Sequence, residues 1–152
     1  MIIEQAGLNN LIEAPDMLPE RASFDDKHLL WRNEVIAAAR NLGLIFTHGV
    51  AGKLINVYFK TVFVCGGHAS HPSVSAHHPP IDEVLLKALR DNDVANLKKE
   101  WRKAIKKRWS KFGPEDYQAV IDSIKEAVGD EPMWTIEQYW QGFQGPALEQ
   151  GN

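Results

Sequence analysis

The segment Gly49-Val-Ala-Gly-Lys-Leu-Ile-Asn-Val-Tyr-Phe-Lys60 constrains this chain more than any other. It is apolar enough to be buried and reads as a helix, yet it carries Lys53, Asn56 and Lys60. An ammonium group buried without a partner costs several kcal/mol or gives up its proton. A lysine in such a helix therefore either reaches solvent along its stem or has a task. A second polar signal follows at His78-Pro-Pro-Ile-Asp82, with the aspartate where the next helix is expected to start.

At 152 residues the chain can form one domain with a real hydrophobic core. Its 44% hydrophobic and 24% charged residues, with eleven Gly and eight Pro, exclude a fibrous or low-complexity class. A formal net charge of −3 argues against a protein coated in positive charge but leaves room for a local basic patch. The single Cys65 rules out an internal disulfide and fits a reducing cytosol. Glu4, Asn9, Asn10 and Glu13 interrupt the first residues, so no signal peptide is read. No apolar segment approaches a membrane span, since Lys53, Asn56 and Lys60 break the longest. The expectation is a soluble cytoplasmic protein with no membrane partner.

The pattern predicts an all-α chain: a single compact domain of five to six helices over residues 23–145, around a central apolar helix. An N-terminal arm (1–22) precedes it, with a short helix around Leu8–Glu13, and a frayed tail (146–152) follows. Ser23 is expected to cap a helix with Asp25 and Asp26 in its first turn and an apolar stripe of Leu29, Leu30, Val35, Ile36, Ala39 and Leu42, closed by Gly43. Leu44–Phe46 forms an apolar link, and Thr47 caps the central helix, which runs to about Cys65. Val57, Tyr58, Phe59, Val62 and Phe63 also suit a strand, but length favours the helix. Gly66–Pro80 reads as a loop. Pro80 suits the first position of the next helix, with Ile81, Leu85, Ala88 and Leu89 buried. Asn92 starts another helix, with Val94, Leu97, Trp101, Ile105 and Trp109 on one side, and Gly113-Pro114 stops it. A helix from Pro114 to Gly129 buries Tyr117, Val120, Ile121 and Ile124. Thr135-Ile-Glu-Gln138 resembles a capping box before an aromatic closing helix of Ile136, Tyr139, Trp140 and Phe143.

Three groups of residues suggest chemistry. Lys53 and Asp82 could form an amine nucleophile with a carboxylate partner, or a carboxylate-activated water with a lysine beside it. The alternative is a lysine that snorkels and an aspartate that merely suits its helix start. Cys65, His68 and His71, with His77 or His78, have zinc-like spacing, although loop histidines are often only solvated. No metal or other cofactor is expected. The third group is the basic run of Lys98, Lys99, Arg102, Lys103, Lys106 and Lys107, which lies largely opposite the Leu97/Trp101/Ile105 stripe. Such a face attracts phosphates, or is simply a solvated helix surface. Trp101, Trp109, Trp134 and Trp140 read as core, with base stacking the alternative. Gly52-Lys53 is not a nucleotide-binding loop, because Leu54 replaces the Ser/Thr that would hold magnesium.

Gly49, Val50 and Lys53 before an apolar helix, with Asp82 opening a later one, resemble the helix-hairpin-helix DNA glycosylase superfamily. That resemblance implies hairpin amides that grip a DNA phosphate, a lysine that attacks the sugar in bifunctional members, and an assisting aspartate. Ala51 stands in place of the second hairpin glycine, and the stretch between Lys53 and Asp82 is long. Gly49, Ala51, Lys53, Asn56, Lys60, His78, Pro80 and Asp82 also resemble a family of small uncharacterised prokaryotic proteins. Its pattern is Gly-x-Ala-x-Lys-x-x-Asn-x-x-x-Lys, then His-x-Pro-x-Asp, then a tryptophan-containing C-terminal helix. That likeness implies a compact helical fold and no particular activity. Two expectations follow. One is a nucleic-acid-associated protein, glycosylase-like at most, with Lys53 and Asp82 in a cleft and Gly49–Gly52 on a phosphate. The other is a non-catalytic interaction module, a homo-oligomer, in which the same polar residues, Lys53 and Asp82 with Asn56, Lys60 and His78, lock helices together by hydrogen bonds.

Overall fold

Capping groups and helix-spaced apolar residues set the elements of this chain, and the structure, a computed structural model, describes residues 2–11 and 15–140 of it. The helices are α1 (Ile2–Gln5), α2 (Phe24–Asn41), α3 (His48–Phe59), α4 (Pro72–Ser75), α5 (Glu83–Asp91), α6 (Lys98–Lys107) and α7 (Pro114–Val128). Short 3₁₀ turns accompany them, and there is no strand among the described residues. The class is all-α, as the pattern predicts. No helix is long and apolar enough to cross a membrane among the described residues.

The start of α3 is held twice by Thr47. Its Oγ1 accepts from the Val50 N–H at 3.2 Å and donates to the Ser110 carbonyl at 2.7 Å. After Phe59 the helix widens into a π-helical stretch, Lys60–His68, ended by Gly67 at φ 92°. Asp82 caps α5 through Leu85 N–H. Helix α7 begins with Pro114, and the Asp116 carboxylate accepts from the Gly113 N–H at 2.9 Å.

Several expected details are corrected. Ser23 precedes α2, but its hydroxyl turns back to the Glu20 carbonyl. Pro80 lies ahead of α5, which starts at Glu83. The Gly66–Pro80 segment is ordered by α4 and by His77 and His78, both buried. The helix expected from Asn92 is divided: Ala95 and Asn96 have positive φ before α6, and Arg108 at φ 70° ends α6 short of Trp109. Thr135 bonds to the Pro132 carbonyl, so no capping box forms with Gln138. Phe143, the 146–152 tail and the far end of the Leu8–Glu13 helix lie outside the described residues.

The largest correction concerns α2. Leu30 and Leu42 face solvent, whereas its buried side holds Phe24, His28, Trp31, Arg32, Val35, Ala38 and Ala39. The apolar interior gathers in two clusters. One takes Ile3, Leu8, Leu18, Phe24, Trp31, Ile55, Phe59 and Val74, so the N-terminal stretch packs onto α2 and α3. The other takes Ile81, Leu85, Leu89, Trp101, Phe112, Tyr117, Ile121, Met133 and Ile136. Helix α3 belongs to the first and touches the second through α7 and the Trp109–Lys111 turn.

Candidate functional site

The seam between the two clusters is polar. Lys53 and Asn56 are one turn apart on α3, and Lys60 follows a further turn on. Lys53 Nζ lies 3.2 Å from Asp82 Oδ2, and both side chains are about one-third exposed. The second Asp82 oxygen is occupied by Leu85 N–H at 2.9 Å, which fixes the carboxylate's orientation. The ammonium also sits 4.7 Å from the centre of the Trp109 ring. Trp109 is partly buried against the second cluster, as its spacing suggests, and its ring also serves as a platform for the lysine. Lys60 Nζ meets Glu137 Oε1 at 2.9 Å and lies 5.9 Å from the Trp140 ring centre. Both ion pairs open onto one cleft of about 280 Å³, whose walls include Val57, Cys65, Pro80, Leu85 and Trp140.

Beneath this cleft Asn56 is fully buried and fully used. Its amide donates to the Pro79 carbonyl at 3.1 Å and to Tyr117 Oη at 3.0 Å. Its carbonyl oxygen accepts from His28 Nε2 at 2.8 Å. Tyr117 in turn lies 2.9 Å from His78 Nδ1, and His78 Nε2 lies 2.8 Å from Asp25 Oδ1. Asp25 also receives Gln118 and Lys125. Burial works to raise the Asp25 carboxyl pKa, but hydrogen bonds from His78 and Lys125 outweigh it and hold the group well below the usual carboxylate range. Burial lowers the pKa of His28, His77 and His78, that of His77 to about 3. Neutral His78 then donates from Nε2 to Asp25 and accepts from the Tyr117 hydroxyl at Nδ1, an assignment made from the partners. Burial likewise raises the Tyr117 pKa, so the phenol stays protonated.

This network is a positioning device. Asn56 holds Pro79, and His78 is tied to α2 and α7, so the segment leading to Asp82 is pinned before the carboxylate reaches Lys53. Arg32 lies against the same ring, its guanidinium carbon 4.0 Å from the Tyr117 centroid. Its Nε and Nη1 are buried with no hydrogen-bond partner among the described residues.

The glycines serve packing. A Cβ on Gly49 would stand 1.7 Å from the Trp109 carbonyl oxygen, and one on Gly52 would stand 2.5 Å from Tyr117 Cε2. The Gly49 N–H donates to the Phe112 carbonyl, Val50 N–H to Thr47 Oγ1 and Ala51 N–H to the Thr47 carbonyl. The expected phosphate-gripping turn at Gly49–Gly52 is thus replaced by helix whose first amides are already bonded.

The zinc-like residues are not brought together. Cys65 is exposed on the cleft, His71 pairs with Asp16 at 2.7 Å, and His77 is buried beside Phe24 and Phe59. Among the described residues no group of three or more His, Cys, Asp or Glu could hold a metal. Of the basic run, Lys99, Arg102, Lys103, Lys106 and Lys107 are exposed on α6, Lys98 partly so, and Lys107 has Asp116 at 3.8 Å.

Sequence reasoning missed Glu137, Asp25, Tyr117, His28 and Arg32 as site-building groups. Asp25 reads as a first-turn charge, Glu137 only as an inner residue of the Thr135–Gln138 motif, and Tyr117 as core. A usable signal was present on α2, where His28 and Arg32 fall on the same helical side as Phe24, Trp31 and Val35. No family model, no curated protein and no solved structure matches the chain.

Proposed function

We propose that this chain is a nucleic-acid-associated protein in which Lys53 and Asp82 act on a sugar carbon, within a single compact helical domain built around α3. The observation that carries this reading is the meeting of Lys53 Nζ and Asp82 Oδ2, 29 residues apart in sequence and 3.2 Å apart in space, at an open cleft. The resemblance to helix-hairpin-helix glycosylases supports it through the same lysine and aspartate. The exposed α6 cations offer phosphate contacts in place of the unavailable amides at 49–51. A cytoplasmic location is part of the proposal and rests on the unpaired Cys65.

The chemistry is that of an amine nucleophile. Asp82 takes a proton from the Lys53 ammonium, and the freed amine attacks an aldehydic sugar carbon such as that of an abasic site. Asp82 returns the proton to the carbinolamine hydroxyl as water leaves, and a protonated imine remains.

Borohydride reduction of that imine tests the reading. A DNA strand with an abasic site should become covalently attached to the wild-type protein. Lys53→Ala should abolish the adduct and Asp82→Asn should reduce it at least tenfold, each with an unchanged circular-dichroism spectrum. Absence of any adduct with wild type sinks the catalytic reading. DNA affinity should also fall steeply between low and moderate salt, and charge reversal at Lys103 and Lys106 should flatten that dependence. Salt-independent binding, or none, removes the nucleic-acid partner.

A second reading, a non-catalytic homo-oligomeric module, is favoured by one observation. Leu42, Leu44 and Ile45 are 53%, 46% and 97% exposed at the α2–α3 link. A concentration-dependent dimer in light scattering that Ile45→Asp dissociates would support it, and a monomer at all concentrations would remove it.

A further inference from the structure

Helices α6 and α7 leave a groove between them of about 360 Å³, within the range of small-ligand sites. The cause is side-chain size. Ala104 on α6 and Ala119 and Ser123 on α7 line it, and none is large enough to fill the space between two packed helices. On α6 the lining runs from Glu100 to Lys107, so the groove follows that helix for roughly 10 Å of rise. It shares no lining residue with the Lys53/Asp82 cleft.

The groove has an apolar floor and a charged rim. Trp101, Phe112 and Val120, all buried, make the floor. The N–H and O–H groups here are already committed. Trp101 Nε1 donates to the Val94 carbonyl at 3.1 Å, and Ser123 Oγ donates to the Ala119 carbonyl at 3.1 Å. Such a floor favours a hydrocarbon body and leaves the polar edge of a base or sugar without partners. The rim sets Lys103, Lys106 and Lys107 against Glu100 and Asp116, which leaves a single net positive charge. Lys107 lies 3.8 Å from Asp116. Lys103 and Lys106 have no carboxylate within ion-pair distance among the described residues. Lys98, Lys99 and Arg102, the rest of the basic run, do not line the groove. A monoanion complements this rim better than a doubly charged phosphate monoester does.

We propose that the α6–α7 groove binds a medium-chain aliphatic carboxylate, its hydrocarbon over Trp101, Phe112 and Val120 and its headgroup at Lys103 and Lys106. Removing the chain from water is the favourable term, and the two unpaired ammonium groups select the headgroup. Both lysines are exposed and long, so they reach the carboxylate without being buried themselves. The small side chains of Ala104 and Ala119 keep the groove open and are its gauge of width. The inference goes beyond the nucleic-acid reading and does not depend on the chemistry at Lys53.

Calorimetric titration of the full chain with octanoate tests this, with acetate, octanol and octyl phosphate as controls. Octanoate should bind at least tenfold more tightly than acetate, at least fivefold more tightly than octanol and no more weakly than octyl phosphate. Ala119→Leu, at an exposed position on α7, narrows the groove and should weaken octanoate binding at least tenfold. Lys106→Gln, also exposed, should weaken octanoate at least threefold and leave octanol unchanged. Both variants should keep the wild-type circular-dichroism spectrum, and if Ala119→Leu does not, Lys106→Gln decides alone. No octanoate binding, or binding no tighter than that of acetate, overturns the site. Octanol binding as tightly as octanoate, or octyl phosphate binding more tightly, overturns the carboxylate assignment. Octanoate binding that is indifferent to both folded variants overturns the groove as its location.

Discussion

At the scale of single residues, Asn56 ties together more of the fold than any other polar side chain of α3. An amide in a buried helix position is tolerated only when its hydrogen-bonding groups are satisfied. Here three partners from α2, the 77–82 segment and α7 meet it. Replacing it leaves His28, Tyr117 and the Pro79 carbonyl short of a partner inside the protein. Asn56→Ala should therefore cost about 2–4 kcal/mol of stability, read as a lower urea midpoint at unchanged slope. A change under about 1 kcal/mol would mean that the network is not the lock described. Lys53, Asn56, Lys60, His78 and Asp82 were all visible in the sequence as polar groups in apolar surroundings. Their partners were not, because Asp25, Tyr117 and Glu137 occur in settings where a charge or a phenol needs no special explanation.

At the scale of elements, the approach of α3 to the Trp109–Lys111 turn decides the geometry of the Lys53 end. Gly49 has no side chain where the Trp109 carbonyl passes, and its N–H bonds to Phe112. Gly49→Ala places a methyl group against backbone that cannot rotate away. The expected cost is about 3 kcal/mol or more, since overpacking against main chain is the least relaxable kind. Because Trp109 carries the Lys53 ammonium, borohydride trapping should fall with stability in this variant. Retained stability and trapping together would show that the close approach is not required. The cap at Thr47 and the glycine after α2 were legible as local chemistry, whereas Asp82 was legible only as a charge near a helix start and proves to be the cap itself. The division of the 92–111 helix was not, because nothing in the types Ala95, Asn96 and Arg108 announces a positive φ.

At the scale of the whole molecule, two apolar clusters meet across a seam that holds three buried histidines, an arginine and the ion pairs of the cleft. This gives stability a definite pH dependence. His28, His77 and His78 have folded-state pKa values lowered by burial, so the unfolded chain binds more protons below about pH 6.5. Their contribution is complete above that pH and is lost as pH falls toward the folded values, about 3 for His77. Each histidine adds up to about 1.4 kcal/mol per pH unit within the window. Asp25, also depressed, extends the loss to lower pH, whereas Glu137, raised by burial, opposes it. Urea unfolding free energy should drop by several kcal/mol between pH 7 and pH 4, with Asn or Gln at position 77 flattening the slope. A flat profile would place these rings in water rather than in the seam.

Local chemistry determined a great deal here by itself. Helix class, the Thr47 cap, the glycines after α2 and α7, the solvated cations of α6 and the conspicuous Lys53, Asn56 and Asp82 all follow from side-chain type and from spacing along the chain. Folding alone decided which far-separated groups meet: Lys53 with Asp82, Lys60 with Glu137, and His78 with Tyr117 and Asp25. It also decided that the Gly49–Gly52 amides are bonded internally and that the histidine-rich segment is pinned rather than poised for metal. The physical reason is range. Periodicity and capping act within a few residues, whereas hydrogen bonds and ion pairs across a seam depend on how whole helices pack.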